Sequence, residues 1–260
     1  MGNIIFSNDF VDLGTITSRS EASGYADDNI KDHWHLKRRF RANDVTANNW
    51  LLKFNFGAAK SVVGVFLNDV NFDKVKIQGH SSDTWGSPSY NGSEITISRD
   101  EIVDRYKVYI PISGFNLQWM RIFIPSGAAA VGDYTTKWEV GTVVVLDSAT
   151  MLAKNMAYGY ERDGKKAFSD IDLPHGGFER VNLGDDLRWE AKLAFDIREE
   201  SEESELWIVN NYNIGDPVIF YENREDTSKA YLCLRDDSYR LTLTEYNIIE
   251  GNAIRLKELI

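Results

Sequence analysis

The chain is nearly devoid of cysteine: Cys233 stands alone among 260 residues. No intrachain disulfide can form, and nothing points to an oxidising compartment. The neighbours of Cys233, Tyr231, Leu232 and Leu234, make a strand-like run in which a thiol serves as a small buried hydrophobe. Long apolar runs are missing as well. No stretch approaches the roughly 20 residues that would span a bilayer, so a soluble protein with no membrane insertion is expected. Residues 1–7 carry neither a basic n-region nor a cleavable apolar segment, and Sec export is not expected. Phe6 stands where a myristoylation signal requires Ser or Thr.

Catalytic signatures are equally scarce. There is no G-x-S-x-G elbow, no H-E-x-x-H helix and no dinucleotide fingerprint. Residues 56–61 end like a phosphate loop, but Ala59 replaces the glycine that must precede Lys60. Cys233 has no recognisable His partner, and no carboxylate pair is spaced for glycoside hydrolysis. The sequence predicts a protein that is not an enzyme.

Positive charge is in deficit. Lys and Arg number 29 against 40 Asp and Glu, a net charge of -11. The imbalance is uneven. Residues 1–148 carry 15 basic against 17 acidic side chains, and residues 149–260 carry 14 against 23. An acidic second half repels phosphate backbones, which argues against nucleic acid as a partner.

What is present is β pattern. Residues 50–57 alternate from Trp50 to a stop at Gly57, and a more continuously apolar run, residues 62–68, begins after a turn. Residues 75–79, 94–97, 106–112, 120–124 and 138–145 continue the series, with turn signals at Asn91-Gly92, Ser113-Gly114 and Ser126-Gly127. Strands at this spacing without helical periods predict an antiparallel sandwich. The pattern shifts after Val145, which places a boundary at residues 147–156 and divides the chain into 1–148 and 149–260. Beyond it, residues 161–164 read as a turn and residues 187–196 as a strictly alternating strand. Residues 201–212 read as a helix capped by Ser201, with Glu202, Glu203 and Glu205 in its first turn. Residues 217–221, 230–234, 239–243 and 253–256 return to strand. The fold class expected is mostly β, with one short helix in the second part.

The run from Trp50 to Gly57, the strand from Met120 to Ile124, Gly141 in a closing strand and the leading segment Ala26 to Asp32 resemble the galactose-binding-like (discoidin-type) jelly-roll β-sandwich over most of residues 15–146. That resemblance implies a binding or assembly module. Residues 215–220 (Gly215, Pro217, Val218, Phe220) and the closing residues 246–258 are similar to small tail and baseplate components of tailed bacteriophages. That second resemblance implies a virion structural protein of the tail tip, made in the host cytoplasm. It would assemble as a homo-oligomeric ring with other phage tail proteins and contact host-surface glycan. The alternative reading is a carbohydrate-binding protein, an adhesin or accessory module.

Candidate site residues follow from these readings. Trp34, Trp85, Tyr90 and Tyr134 would stack on sugar faces, and Arg38 or Asn29 would bind hydroxyls or acidic groups; core packing is the competing role for the aromatics. Arg38 and Arg41 belong to the basic cluster of residues 37–41, which alternation along a solvent-facing strand explains equally well. No cofactor is expected except a structural Ca²⁺, for which Asp27, Asp28 and Asp32 offer hard oxygen ligands in one loop. His33 and His35 would share a strand face, but a third metal ligand is not evident nearby.

Overall fold

The computed structural model describes residues 5–7, 9–32, 38–101, 105–132, 134–151, 161–172, 178–197, 217–221, 226–235, 241–245 and 248–259. These are almost entirely β. In order come β1 (Ile5–Ser7), β2 (Thr15–Ser18), a 3-10 turn (Asp27–Lys31), β3 (Phe40–Arg41), β4 (Asn49–Val70) and β5 (Lys74–His80). Then follow β6 (Tyr90–Asn91), β7 (Ile95–Thr96), β8 (Arg99–Asp100), β9 (Arg105–Tyr106), β10 (Val108–Ile124), β11 (Glu139–Leu146) and β12 (Thr150–Met151). The remainder are β13 (Glu161–Asp172), β14 (Phe178–Ile197), β15 (Pro217–Tyr221), β16 (Ala230–Arg235), β17 (Leu241–Glu245) and β18 (Ile248–Glu258). Among the described residues no helix is long and apolar enough to cross a membrane.

One sheet runs β3-β11-β4-β10-β5-β6, with β2 added to β4 and β7 to β5; a second runs β12-β1-β15-β16-β18-β14-β13, with β17 on β18. Pairing is antiparallel throughout, as the turn spacing predicts. The first strand departs from sequence order: β1 pairs with β12 and β15 and so lies in the second sheet.

Three expectations are corrected. Gly57 does not end a strand, and Ser113-Gly114 does not separate two. Each lies inside one long strand, β4 and β10, which pair along nearly their whole length. Gly57 at φ 76° and Gly114 at φ 73° adopt a left-handed backbone that other residues resist, so both strands bend without leaving the ladder. Each glycine lies within its own register shift, and residues 57–60 and 113–116 are exposed there. Likewise, residues 161–164 open β13 rather than form a turn. The expected helix at residues 201–212 lies outside the described residues.

The bent first sheet folds around its own core, where Leu52, Phe54, Val65, Leu67, Ile122, Trp138 and Val143 are buried. The other side of the same strands supplies Phe66, Tyr109, Val144 and Leu146 to a further cluster. Ile219, Tyr221, Ala230, Leu232 and Leu259 meet them from the second sheet. The rings of Tyr109 and Tyr221 lie 4.6 Å apart between centroids. β11 is therefore buried on both faces, which is why its sequence is a run rather than an alternation. Each large side chain fully buried in these clusters contributes about 1.5–3 kcal/mol.

A charged cluster sits at the same junction. Lys107 is fully buried, with Nζ 3.1 Å from Asp100 Oδ2 and 3.4 Å from Glu258 Oε1. The ammonium also lies 3.4 Å from the centroid of the Tyr231 ring, and Lys229 Nζ is 3.0 Å from Asp100 Oδ1. Cys233 is buried beside it, and burial pushes its thiol pKa up, away from the reactive thiolate.

Candidate functional site

At one end of the first sheet, β3, the end of β4 and the start of β11 converge with Val131, Gly132 and Tyr134. Between them lies a cleft of about 490 Å³, lined by Arg39, Arg41, Asp69, Asn71, Glu139 and Tyr134 among others. Its geometry follows from local alternation. Phe40 points into the core with no exposure, so Arg39 and Arg41 project together to the other side. β11 pairs with β3 and sets Glu139 opposite Arg41.

Glu139 is the centre of the charge network. Its buried carboxylate accepts from Arg39 Nη1 at 3.1 Å and from Arg41 Nε. Arg39 Nη2 reaches Asp69 Oδ2 at 3.0 Å, so one guanidinium bridges two carboxylates. Asp69 stands at φ 52°, a left-handed conformation that Asp tolerates better than most side chains. Arg41 is held from both sides: its guanidinium lies 3.9 Å from the Tyr25 ring centroid and 4.0 Å from that of Tyr134.

Asn71 fixes the wall that carries Tyr134. Its Nδ2 donates to the carbonyls of Tyr134 at 2.6 Å and Lys137 at 2.7 Å, and its Oδ1 accepts the Glu139 amide at 2.7 Å. The Val131 amide donates to the Asn71 carbonyl at 2.8 Å. Trp138 is buried below, edge-on to Phe72, with Nε1 donating to the Thr46 carbonyl at 3.2 Å. Tyr134 remains 45% exposed, one of the few large hydrophobic side chains turned to solvent among the described residues. The cleft thus offers an aromatic wall, fixed guanidinium donors and carboxylate acceptors in one small volume.

Of the residues picked out from sequence, Tyr134 and Arg41 come together here. Arg38 is exposed and pairs instead with Asp32 at 3.7 Å. Asn29 supports the cleft from behind, with Nδ2 donating to the Arg39 carbonyl at 3.1 Å. Trp85 lies elsewhere, its Nε1 donating to Asp83 Oδ1 at 2.5 Å and its ring 4.3 Å from the Arg121 guanidinium. Tyr90 packs on Phe115 at 4.9 Å, and burial pushes its hydroxyl pKa up, which is the core role weighed against ligand stacking. Trp34, His33 and His35 lie outside the described residues. The three aspartates do not gather: Asp28 pairs with Lys31 at 2.8 Å and Asp32 with Arg38, while Asp27 opens the 3-10 turn. Among the described residues no three His, Cys, Asp or Glu side chains are grouped as a metal ion would require.

Arg39, Asp69, Asn71 and Glu139 were not singled out by sequence. One signal pointed to Glu139, which is the one charge within the apolar run of residues 138–145. Nothing comparable marks Asn71.

No protein-family model matches the sequence, and no curated protein matches it. Several solved structures resemble about half of the chain. Chitosan-binding module 1 from a chitosanase/glucanase of Paenibacillus sp. IK-5 is 17% identical, with 53% of this chain and 97% of that one covered at a TM-score of 0.37. The CBM32 of AlyQ, in complex with 4,5-unsaturated mannuronic acid, is 17% identical over 54% of this chain and 98% of that one, at a TM-score of 0.40. CBM32-1 from a family 31 glycoside hydrolase of Clostridium perfringens is 10% identical over 53% and 96%, at a TM-score of 0.42.

Proposed function

We propose that the chain is a carbohydrate-binding protein and that the cleft between Arg39, Asp69 and Tyr134 is where sugar binds. The observation that carries this reading is the pairing of an exposed tyrosine wall with donors and acceptors already locked in place. A sugar presents an apolar C–H face and a rim of hydroxyls. Tyr134 suits the face, and the Arg39 guanidinium with the Asp69 carboxylate suits the rim. Because Asn71 and Glu139 hold these groups before any ligand arrives, little ordering entropy is lost on binding.

The reading of a tail-tip assembly protein draws less support. Of the segment that suggested it, Pro217–Tyr221 forms β15, whose Val218, Ile219 and Phe220 are buried within this chain. An internal packing role accounts for those residues without any neighbouring subunit.

The test is a microarray of neutral and amino glycans probed with the full chain and with Tyr134→Ala. Carbohydrate binding through the cleft predicts saturable signals on a subset of glycans, reduced at least tenfold in the variant. Signals on no glycan, or equal signals from both proteins, would refute it.

A further inference from the structure

A second surface lies away from the cleft, on the outward side of β4, β10 and β5. The pairing register sets Lys53 beside Arg121 in one row, and Trp50 beside Phe123 beside Lys76 in the next. Trp119 stands beside His80 in the row on the other side of Arg121. Neighbours within a row are about 4.8 Å apart and rows about 7 Å apart. The residues between them, among them Leu52, Met120 and Ile122, point into the core, so alternation sets this face along β10, and a register shift at Leu51 carries Trp50 onto it.

The charge here runs against that of the whole chain. Lys53 is paired with Asp83 at 3.0 Å and Lys74 with Glu94 at 3.1 Å. Lys76 and Arg121 have no carboxylate partner within 4.0 Å among the described residues. The result is a local excess of positive charge on a protein of net charge -11. Arg121 is also pre-set: its guanidinium lies 4.3 Å from the Trp85 ring centroid and 5.4 Å from that of Phe123. Its Nε donates to Gln78 Oε1 at 2.7 Å, and Gln78 Nε2 donates in turn to Asn91 Oδ1 at 2.8 Å. That leaves the forked Nη end for a carboxylate, the group that this geometry matches.

We propose that this face binds a linear acidic polysaccharide, a carboxylated sugar chain. Its carboxylates pair with Arg121 and Lys76, and its apolar sugar faces rest on Trp119 and Phe123. The observation behind it is charge complementarity combined with interleaved aromatic rings, and it stands independently of the cleft. Single-stranded nucleic acid would use the same pairing of cations and rings, and the oligothymidylate arm of the test below separates it from a carboxylated sugar chain.

Affinity electrophoresis of the full chain through gels containing polygalacturonate, neutral galactan or oligothymidylate tests the proposal. The expected result is retardation by polygalacturonate alone, weakening as NaCl is raised. Lys76→Glu and Arg121→Gln should each weaken it at least fivefold, and Tyr134→Ala should leave it unchanged. Retardation that survives both charge variants, that is lost in Tyr134→Ala, or that is stronger on oligothymidylate would overturn the proposal, as would no retardation at all. Should Arg121→Gln lower the melting temperature, Lys76→Glu decides the matter, because that side chain makes no ion pair among the described residues.

Discussion

The guanidinium of Arg41 lies 4.0 Å from the ring centroid of Tyr134, and this contact joins the charge network of the cleft to its aromatic wall. Tyr25 closes the other face of the same guanidinium at 3.9 Å. Lysine cannot reproduce a planar group stacked on two rings and hydrogen-bonded to a carboxylate. Arg41→Lys should therefore cost about 1–2 kcal/mol in urea denaturation, the sum expected of two stacking contacts, since lysine keeps a positive charge beside Glu139. A loss below a few tenths of a kcal/mol would mean that the stack contributes nothing.

Glu139 receives both Arg39 and Arg41 in a buried position. Glu139→Gln keeps the shape and removes the charge, leaving two guanidinium groups without their shared partner. We expect a loss of about 3 kcal/mol by urea denaturation. Arg39→Ala should cost less, since Arg41 still compensates Glu139 and Asp69 is partly exposed. The reverse order of the two variants would contradict the network as described.

Lys107 holds two buried carboxylates, Asp100 and Glu258, at the contact between the sheets. Lys107→Met should destabilise the protein by about 3–5 kcal/mol, because two buried carboxylates lose the cation they share, although Lys229 still reaches Asp100. Adding Asp100→Asn and Glu258→Gln to that variant should restore part of the loss, even though more native groups have been removed. Thermal unfolding of the single and triple variants checks this, and a triple variant less stable than the single one would count against it.

Asp44 is held at a pKa of about 2, chiefly by the hydrogen bond from Arg19 and further by the Thr46 amide, against a smaller opposing effect of burial. A carboxylate with a folded pKa below its unfolded value of about 3.9 stabilises the fold fully above that pH and loses its effect as pH falls towards 2. Its side chain is 43% exposed, so solvent screening limits the contribution to about 1 kcal/mol or less. The stability difference between the natural chain and Asp44→Asn should be constant above pH 5 and shrink between pH 4 and 2. A difference that grows with acidity would have the wrong sign.

The sequence made some of this legible and hid the rest for physical reasons. Alternation around Phe54 and Ile122 located the strands, because burial on one face imposes period two. The largely apolar β11 was readable as a central strand because it is covered on both sides. The bends at Gly57 and Gly114 were misread as turns, since a glycine that bends a strand and one that ends it look alike in one dimension. Whether β4 continued depended on β10, which lies about 50 residues away and resumes pairing on both sides of Gly57. Tyr134 and Arg41 were picked out by type, as an aromatic and a cation. Asn71 and Asp69 were not, because their roles come from partners brought close only by folding: Asn71 meets Tyr134 across 63 positions of chain.

The central claim is that sugar occupies the cleft walled by Tyr134. An amide-resolved NMR titration of the full chain with the strongest glycan from the array tests it most directly. The account predicts saturable shifts concentrated on residues 39–41, 69–71 and 131–139, together with the Asn71 side-chain amide, all abolished in Tyr134→Ala. Saturable shifts confined to any other surface, or shifts in the cleft that persist unchanged in the variant, would contradict it.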